Sequence, residues 1–177
     1  MEMKDVYFDF AADDIANGKY NFWELIQPLW FTVSIYDDID VYNNDLKNFS
    51  DSQRKILAVI WYDSEVNNGG HDQFLFNSTG MVWKDAYEGL KLIGAVQLAE
   101  NFKKVIDMFG GTVPFDRDER QEQSDKLCEN EDFDDFREND DFYYTCECED
   151  VSELINDYIR NNPSEFVVRG TYQIADI

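Results

Sequence analysis

Acidic side chains recur at helical spacing in the second half of the chain. Three series, with members three or four residues apart, comprise Asp118, Glu122, Asp125 and Glu129; Asp134, Glu138 and Asp141; and Asp150, Glu153 and Asp157. Residues at this spacing share one face of an α-helix, and four residues correspond to about 6 Å of axial rise. Successive phosphates of one DNA strand are roughly 3.4 Å apart along the duplex axis and farther apart through space. Such a face can imitate a row of phosphates, or it is the solvated surface of an acidic protein.

The net charge is large and concentrated in one region. The 177 residues include 38 Asp or Glu and 15 Lys or Arg, which gives −23. Residues 116–157 hold 18 acids and 4 bases, whereas residues 51–115 hold 8 and 6. This charge repels nucleic acids and anionic membranes, and it attracts basic proteins and cations. The apolar share of 44% and aromatic share of 16% suffice for a folded core, so the acidity does not indicate a disordered chain.

The sequence contains no recognisable catalytic centre. His71 is the only histidine, and no G-x-S-x-G nucleophile motif accompanies it. We therefore expect His71 to cap a helix or to pack beside Trp83. The carboxylates lie in charge runs, without the apolar pocket that would raise the pKa of a general acid. We predict neither enzymatic activity nor a cofactor.

The cysteines do not suggest a metal site or a disulfide framework. Cys128, Cys146 and Cys148 are odd in number, and no second cysteine pair completes a zinc site. We expect no signal peptide, because residues 1–14 mix charged and aromatic side chains without an apolar segment. No apolar stretch is long enough to span a bilayer. Together these features predict a cytoplasmic protein without bound metal.

A central run at residues 65–80 should position the neighbouring helices. The Asn-Gly-Gly sequence at 68–70 should end a helix, because glycine adopts the left-handed conformation of a helix C-cap. A short helix over 71–77 should follow and stop at Gly80. Glu65 and Gln73 should pin this short helix to its neighbour. The residues with predicted structural roles are Glu65, Asn68, Gly69, Gly70, Gln73, Asn77 and Gly80.

The apolar periodicity predicts an all-α single domain over 1–177, with several helices and short interhelical loops. Its predicted parts are N-terminal helices at 1–49, a nearly neutral helical hub at 50–111, an acidic helical region at 112–162 and a tail at 163–177. Ser50 and Gln53 form a capping box that should begin a hub helix. The β-prone tail should form an edge strand or an extended arm on the surface.

The central run and its flanks resemble a bacterial family of small acidic proteins whose best-understood member is a DNA mimic. The matching sequences are EVNNGG at 65–70, QF at 73–74, NSTG at 77–80 and IGA at 93–95, with looser similarity at 119–120 and 142–143. The resemblance covers roughly residues 50–162. It implies an all-helical domain that binds a DNA-binding protein, such as a helix-turn-helix repressor, and displaces it from its operator.

Three hypotheses of function follow. The first is an acidic module that covers the basic face of a transcription regulator or another DNA- or RNA-binding protein, without itself binding nucleic acid or a membrane. The second is an immunity-type protein that neutralises a basic toxin or nuclease. The third is a small-ligand domain with a pocket lined by Trp61, Phe74 and Trp83, residues that also suit a core. The chain would act as a monomer or as a homodimer joined through its neutral middle third.

Overall fold

A computed structural model describes residues 3–130, 133, 135–146 and 149–175, and 69% of it is helical. The α-helices are α1 (Ala12–Ala16), α2 (Phe22–Thr32), α3 (Ile39–Asp45), α4 (Asp51–Phe76), α5 (Trp83–Leu92), α6 (Val96–Met108), α7 (Arg117–Cys128), α8 (Arg137–Thr145) and α9 (Val151–Asn161). Short 3₁₀ helices span Leu46–Asn48, Ser78–Val82 and Pro163–Phe166. The strands are β1 (Met3–Phe10) and β2 (Val168–Ala175). The predicted predominantly α-helical domain is confirmed.

Helix α4 bends at two glycines. The predicted capping box at its start is confirmed, since Gln53 N donates to Ser50 Oγ at 3.1 Å and Ser50 N donates to Gln53 Oε1 at 2.9 Å. Gly69 (φ −159°, ψ 27°) and Gly70 (φ 75°, ψ −174°) leave the helical conformation and divide α4 into two helices. The predicted break is therefore confirmed. The short second helix ends at Phe76.

Aromatic side chains around α4 join several helices in one hydrophobic core. The ring centroid of Tyr62 lies 5.1 Å from that of Phe74 and 4.4 Å from that of Phe102 in α6. It also lies 5.7 Å from the ring of Tyr143 in α8. Because buried aromatic rings contribute large apolar areas to a core, Tyr143 ties the acidic helix α8 firmly to the rest of the protein.

The two ends of the described chain form a two-stranded antiparallel sheet. Phe10 of β1 pairs with Val168 of β2, and the Tyr172 ring stacks on Phe31 of α2 at 5.4 Å. The tail is thus a paired strand, one of the two predicted alternatives. Residues 1–49 contain the helices α1 to α3, and they also contain β1, which was not predicted and which is stabilised by a partner strand at the opposite end of the sequence.

The helices of the acidic region pack on different parts of the molecule. Helix α7 lies against α4 and the Ser78–Val82 turn, α8 lies against α4 and α6, and α9 lies against α1 and α2. Within the described ranges, no helix combines the length and apolar character needed to cross a membrane.

Candidate partner-binding surface

Helix α7 presents an exposed acidic face. Asp118, Glu122 and Asp125 are exposed along it, and the exposed Glu129 follows as its C-cap. Glu122 pairs with Lys126 at 2.7 Å, and this hydrogen bond lowers the pKa of Glu122. These four acids, here called the α7 series, therefore lie on one continuous helix and on the residue that caps its C-terminal end. Their role in binding stays a prediction.

Arg120 fixes α7 to the end of α4. Its side chain is fully buried, and its guanidinium donates to Leu75 O at 2.6 Å and to Asn77 O at 2.8 Å. It also donates to three carbonyls of the segment before α7, Pro114 O at 3.0 Å, Phe115 O at 3.1 Å and Asp116 O at 3.3 Å. Burial lowers the pKa of Arg120 to about 10, so the group is charged at neutral pH. A planar guanidinium suits this site because its several donors diverge in fixed directions.

Gly80 gives Arg120 the space that it occupies. The expectation that Gly80 ends the short helix is wrong, because the helix ends at Phe76 and Gly80 lies within the following 3₁₀ helix. A Cβ at Gly80 would lie 2.5 Å from Arg120 Nε and 2.8 Å from Phe74 O. Arg120 was not predicted as an anchor, because its only signal in the sequence was the similarity at 119–120, which assigned it no role.

Glu65 joins the two halves of α4 across the glycine break. Its carboxylate accepts hydrogen bonds from Gln73 Nε2 at 2.6 Å, Asn77 Nδ2 at 2.9 Å and Thr79 Oγ1 at 2.9 Å. Asn68 Nδ2 donates to Gln73 Oε1 at 3.0 Å. The predicted structural pairing of Glu65 with Gln73 is confirmed. The network also holds the turn that follows α4, which is the turn against which α7 packs.

Helix α8 carries acids in two different environments. Glu138 and Asp141 are exposed, as a binding surface requires. Asp140, which the sequence did not single out, accepts from the backbone N of His71 at 2.9 Å, and its Oδ1 lies 2.5 Å from His71 Nδ1. Asp134, the first member of the second predicted series, lies outside the described residues.

His71 lies in the core between Tyr62 and Asp140. Its Nε2 is 2.8 Å from the Tyr62 hydroxyl, so a neutral ring can donate from Nδ1 to Asp140 and accept from Tyr62 at Nε2. The neighbouring rings are those of Phe102 and Tyr143, at 6.0 and 6.1 Å. The expected packing beside Trp83 is therefore wrong, because the glycine break directs His71 towards α6 and α8. The short helix is capped by Asp140 and not by the imidazole.

Like charges lie close together where α7 ends and α8 begins. Partial burial raises the pKa of Asp72, and repulsion from Asp135 and Asp140 adds to the effect. Burial also raises the pKa of the Cys128 thiol, as do the charges of Asp135, Asp72 and Asp125. We call Asp72, Asp125, Asp135 and Asp140 the acidic cluster. Their repulsion costs stability, and a cationic partner would relieve it.

The third predicted series contributes to the structure of α9. Asp150 caps the helix by accepting from Glu153 N at 3.0 Å. Asp157 forms an ion pair with Arg160, and Glu153 is exposed. Helix α9 packs chiefly on α1 and α2, whereas α7 packs on α4 and on the Ser78–Val82 turn, so the two series belong to differently packed parts of the molecule.

The described part of the chain has no group of three or more His, Cys, Asp or Glu side chains arranged to hold a metal ion. Cys128 is a free, exposed thiol, and Cys148 lies outside the described residues. The described residues therefore suggest no metal site, and the absence of a bound metal stays a prediction.

The aromatic residues considered as walls of a ligand pocket lie in the core. Trp61, Phe74 and Trp83 are each at most 8% exposed and pack in the main hydrophobic cluster. Trp83 stacks on Phe115 with a centroid distance of 6.0 Å. The small-ligand hypothesis therefore loses the pocket on which it depended. A surface cleft of about 450 Å³ lies elsewhere, beside the first turn of α7.

The family model for DMP19-like proteins matches residues 47–162. The chain belongs to the DMP19-like protein family. The matched segment contains α4 to α9 and leaves out both strands of the terminal sheet. It thus includes the α7 series, Arg120 and the glycine break, and it supports the resemblance at the level of the family. Comparison of this DMP19-like chain with curated proteins and with solved structures gave no match.

Proposed function

We propose that this protein binds a basic nucleic-acid-binding protein, such as a helix-turn-helix regulator, and covers the face with which that protein binds DNA. Membership of the DMP19-like family, a family of DNA mimics, supports this function. The structural observation that carries it is the α7 series on a helix fixed by its one buried side chain, Arg120. An array held in place before binding loses less conformational entropy when the partner arrives.

The charge distribution supports the same proposal. The carboxylates of the α7 series repeat about every 6 Å or less along the helix axis, a spacing suited to side chains that otherwise contact DNA phosphates. The exposed Glu138 and Asp141 of α8 extend the negative surface beyond the acidic cluster. Repulsion within that cluster would fall when lysine or arginine side chains of the partner bind.

Displacement of DNA requires no covalent step. The partner's basic residues pair with the carboxylates of this protein, and they are then unavailable to the DNA backbone. Because the pairs form near solvent, association should be fast at low salt and should weaken as ionic strength rises. Transcription regulation in the cytoplasm is the setting that we propose for this competition.

The test is capture of partners from a native lysate at low and high salt, followed by competition with DNA. We expect a basic DNA- or RNA-binding protein that elutes with salt and is displaced by its own nucleic-acid site. The triple variant Glu122→Gln, Asp125→Asn and Glu129→Gln should bind the captured partner about tenfold more weakly, or weaker still, than the wild type does. The control carries the same number of neutralised, exposed helical acids outside this surface: Asp13→Asn, Asp40→Asn and Glu100→Gln.

The outcomes separate the hypotheses. Capture of a basic toxin whose activity is blocked would favour the immunity-type role over regulator binding. A partner that binds DNA and this protein simultaneously would contradict the proposed mimicry. Equal losses in the α7 variant and in its control would remove α7 as the binding surface.

A further inference from the structure

A groove with aromatic and acidic walls lies at the N-terminal end of α7. Two adjoining clefts of about 450 and 310 Å³ form it, within the size range of small-molecule and side-chain binding sites. The residues that line both clefts are Ile35, Tyr36, Ser78 and Arg117. The α7 series touches this groove only through Asp118, so most of the groove is a separate surface.

An aromatic ring stands open to solvent at the edge of this groove. Tyr36 is 85% exposed, although the loop that carries it is held by hydrogen bonds. Ser34 N donates to Asp45 Oδ2 at 3.1 Å, and Ser34 Oγ donates to Asp37 Oδ2 at 2.7 Å. Phe115, which is 41% exposed and lies in the segment before α7, also lines the larger cleft. An exposed aromatic ring can attract a cationic side chain to its face.

Carboxylates give the groove a negative charge. The acids that line the larger cleft are Asp37, Asp38, Asp116 and Asp118. The two arginines there already have partners within the protein. Arg117 Nε donates to Phe76 O at 2.9 Å, and its guanidinium carbon lies 5.4 Å from the Phe76 ring centroid. Arg120 is buried and donates to main-chain carbonyls. Because the four carboxylates of the larger cleft outnumber its two guanidinium groups, the cleft keeps a net negative charge that complements a cation.

We infer that this groove receives an arginine side chain of the basic partner, an inference that rests on the proposed function. A guanidinium can stack on the Tyr36 ring while its edge donates paired hydrogen bonds to a carboxylate. Lysine carries the same charge, but its compact ammonium lacks both the planar face and the fork of donors. Arg117, which lines both clefts, makes the cation–aromatic part of such a contact within the protein, since its guanidinium carbon lies 5.4 Å from the Phe76 ring centroid. The groove thus selects arginine over lysine, whereas the α7 series responds to charge alone.

The test uses two fluorescein-labelled Gly-Ser peptides of equal charge, one containing arginine and the other lysine. Fluorescence anisotropy with the full chain at low salt should show about tenfold tighter binding of the arginine peptide. Tyr36→Ala should reduce this preference while leaving the affinity for the lysine peptide unchanged. Asp37→Asn should weaken binding of the arginine peptide more than binding of the lysine peptide, because only arginine can form paired hydrogen bonds with the carboxylate. Matched controls are Tyr7→Ala, which removes another exposed tyrosine, and Asp13→Asn, which neutralises another exposed acid. Both should keep the preference.

Equal affinities for the two peptides, or an arginine preference that persists in Tyr36→Ala, would overturn the groove assignment. Binding of a glutamate-containing peptide that is lost in Arg117→Gln would assign the groove to an anion and would also overturn it. Either result would overturn the groove assignment alone. The proposed function would still be supported if a partner is captured whose binding is sensitive to salt and competes with DNA. Failure to bind either basic peptide, together with failure to capture such a partner, would remove the proposed function as well.

Discussion

The Arg120 guanidinium lies so close to Gly80 that a Cβ on this glycine would be 2.5 Å from Arg120 Nε. Gly80 belongs to the turn after the glycine-broken helix α4, and Arg120 belongs to the acidic helix α7. The two residues therefore connect the central run of the sequence to the surface that we propose for partner binding. A substitution at the buried Gly80 should therefore disturb the packing of α7 through Arg120.

Gly80→Ala should destabilise the protein by about 1–3 kcal/mol, the range of overpacked core sites. The added methyl group meets the guanidinium on one side and the carbonyl of Phe74 on the other, so neither side can yield easily. Urea unfolding followed by circular dichroism measures the change in the free energy of unfolding. Glu100→Ala, on an exposed position of α6, is the control and should change it by less than about 0.5 kcal/mol. A neutral Gly80→Ala would contradict the close fit.

Arg120→Lys should cost about 2–4 kcal/mol, because one ammonium cannot satisfy carbonyls on both sides of the site. The loss should appear as faster amide hydrogen exchange in α7 as well as a lower midpoint of urea unfolding. Arg117→Lys is the matched control three residues earlier. Its side chain is exposed and donates to a single carbonyl, that of Phe76, so we expect a cost below about 1 kcal/mol. Equal effects of the two substitutions would argue against Arg120 as the anchor.

Local sequence signals were sufficient to predict most of the helices. The capping box at Ser50 and the Gly69–Gly70 break depend on residues that are neighbours in the sequence, and both predictions were confirmed. The pairing of Glu65 with Gln73 also follows from a short separation along α4. By contrast, β1 is stabilised by β2 at the far end of the chain. No periodicity within residues 1–49 reveals such a partner.

The candidate surface was predictable only in part for the same reason. Helical spacing placed Asp118, Glu122 and Asp125 on an exposed helix. It also selected Asp141, which faces solvent, but it did not reveal that Asp140 beside it contacts His71. That difference arises from the packing of α8 on α4. Sequence spacing assigns residues to one face of a helix, but tertiary contacts decide whether that face is buried.

The pair Asp140 and Asp141 offers a direct test of this difference. Asp140→Asn should destabilise the protein by about 1–2 kcal/mol, since it replaces charge-assisted hydrogen bonds to the His71 ring and backbone with neutral ones. Asp141→Asn removes the same charge from the next position and should change stability by less than about 0.5 kcal/mol. Thermal and urea unfolding of both variants give the comparison. Similar values would show that charge, and not the contact with His71, determines the effect.

Asp72→Asn should instead stabilise the protein at neutral pH. Partial burial and the nearby Asp135 and Asp140 raise the pKa of Asp72 in the folded state, so ionised Asp72 opposes folding above that raised pKa. Because the residue is exposed and screened by solvent, we expect a gain of only a few tenths of a kcal/mol, larger at low salt. As pH falls through the raised value towards the ordinary aspartate pKa near 4, the wild-type carboxyl becomes protonated and the advantage of the variant should disappear. Urea unfolding at pH 7 and at pH 4 measures this difference. A variant that is less stable than the wild type at pH 7, or a gain that grows on acidification, would contradict repulsion within the acidic cluster.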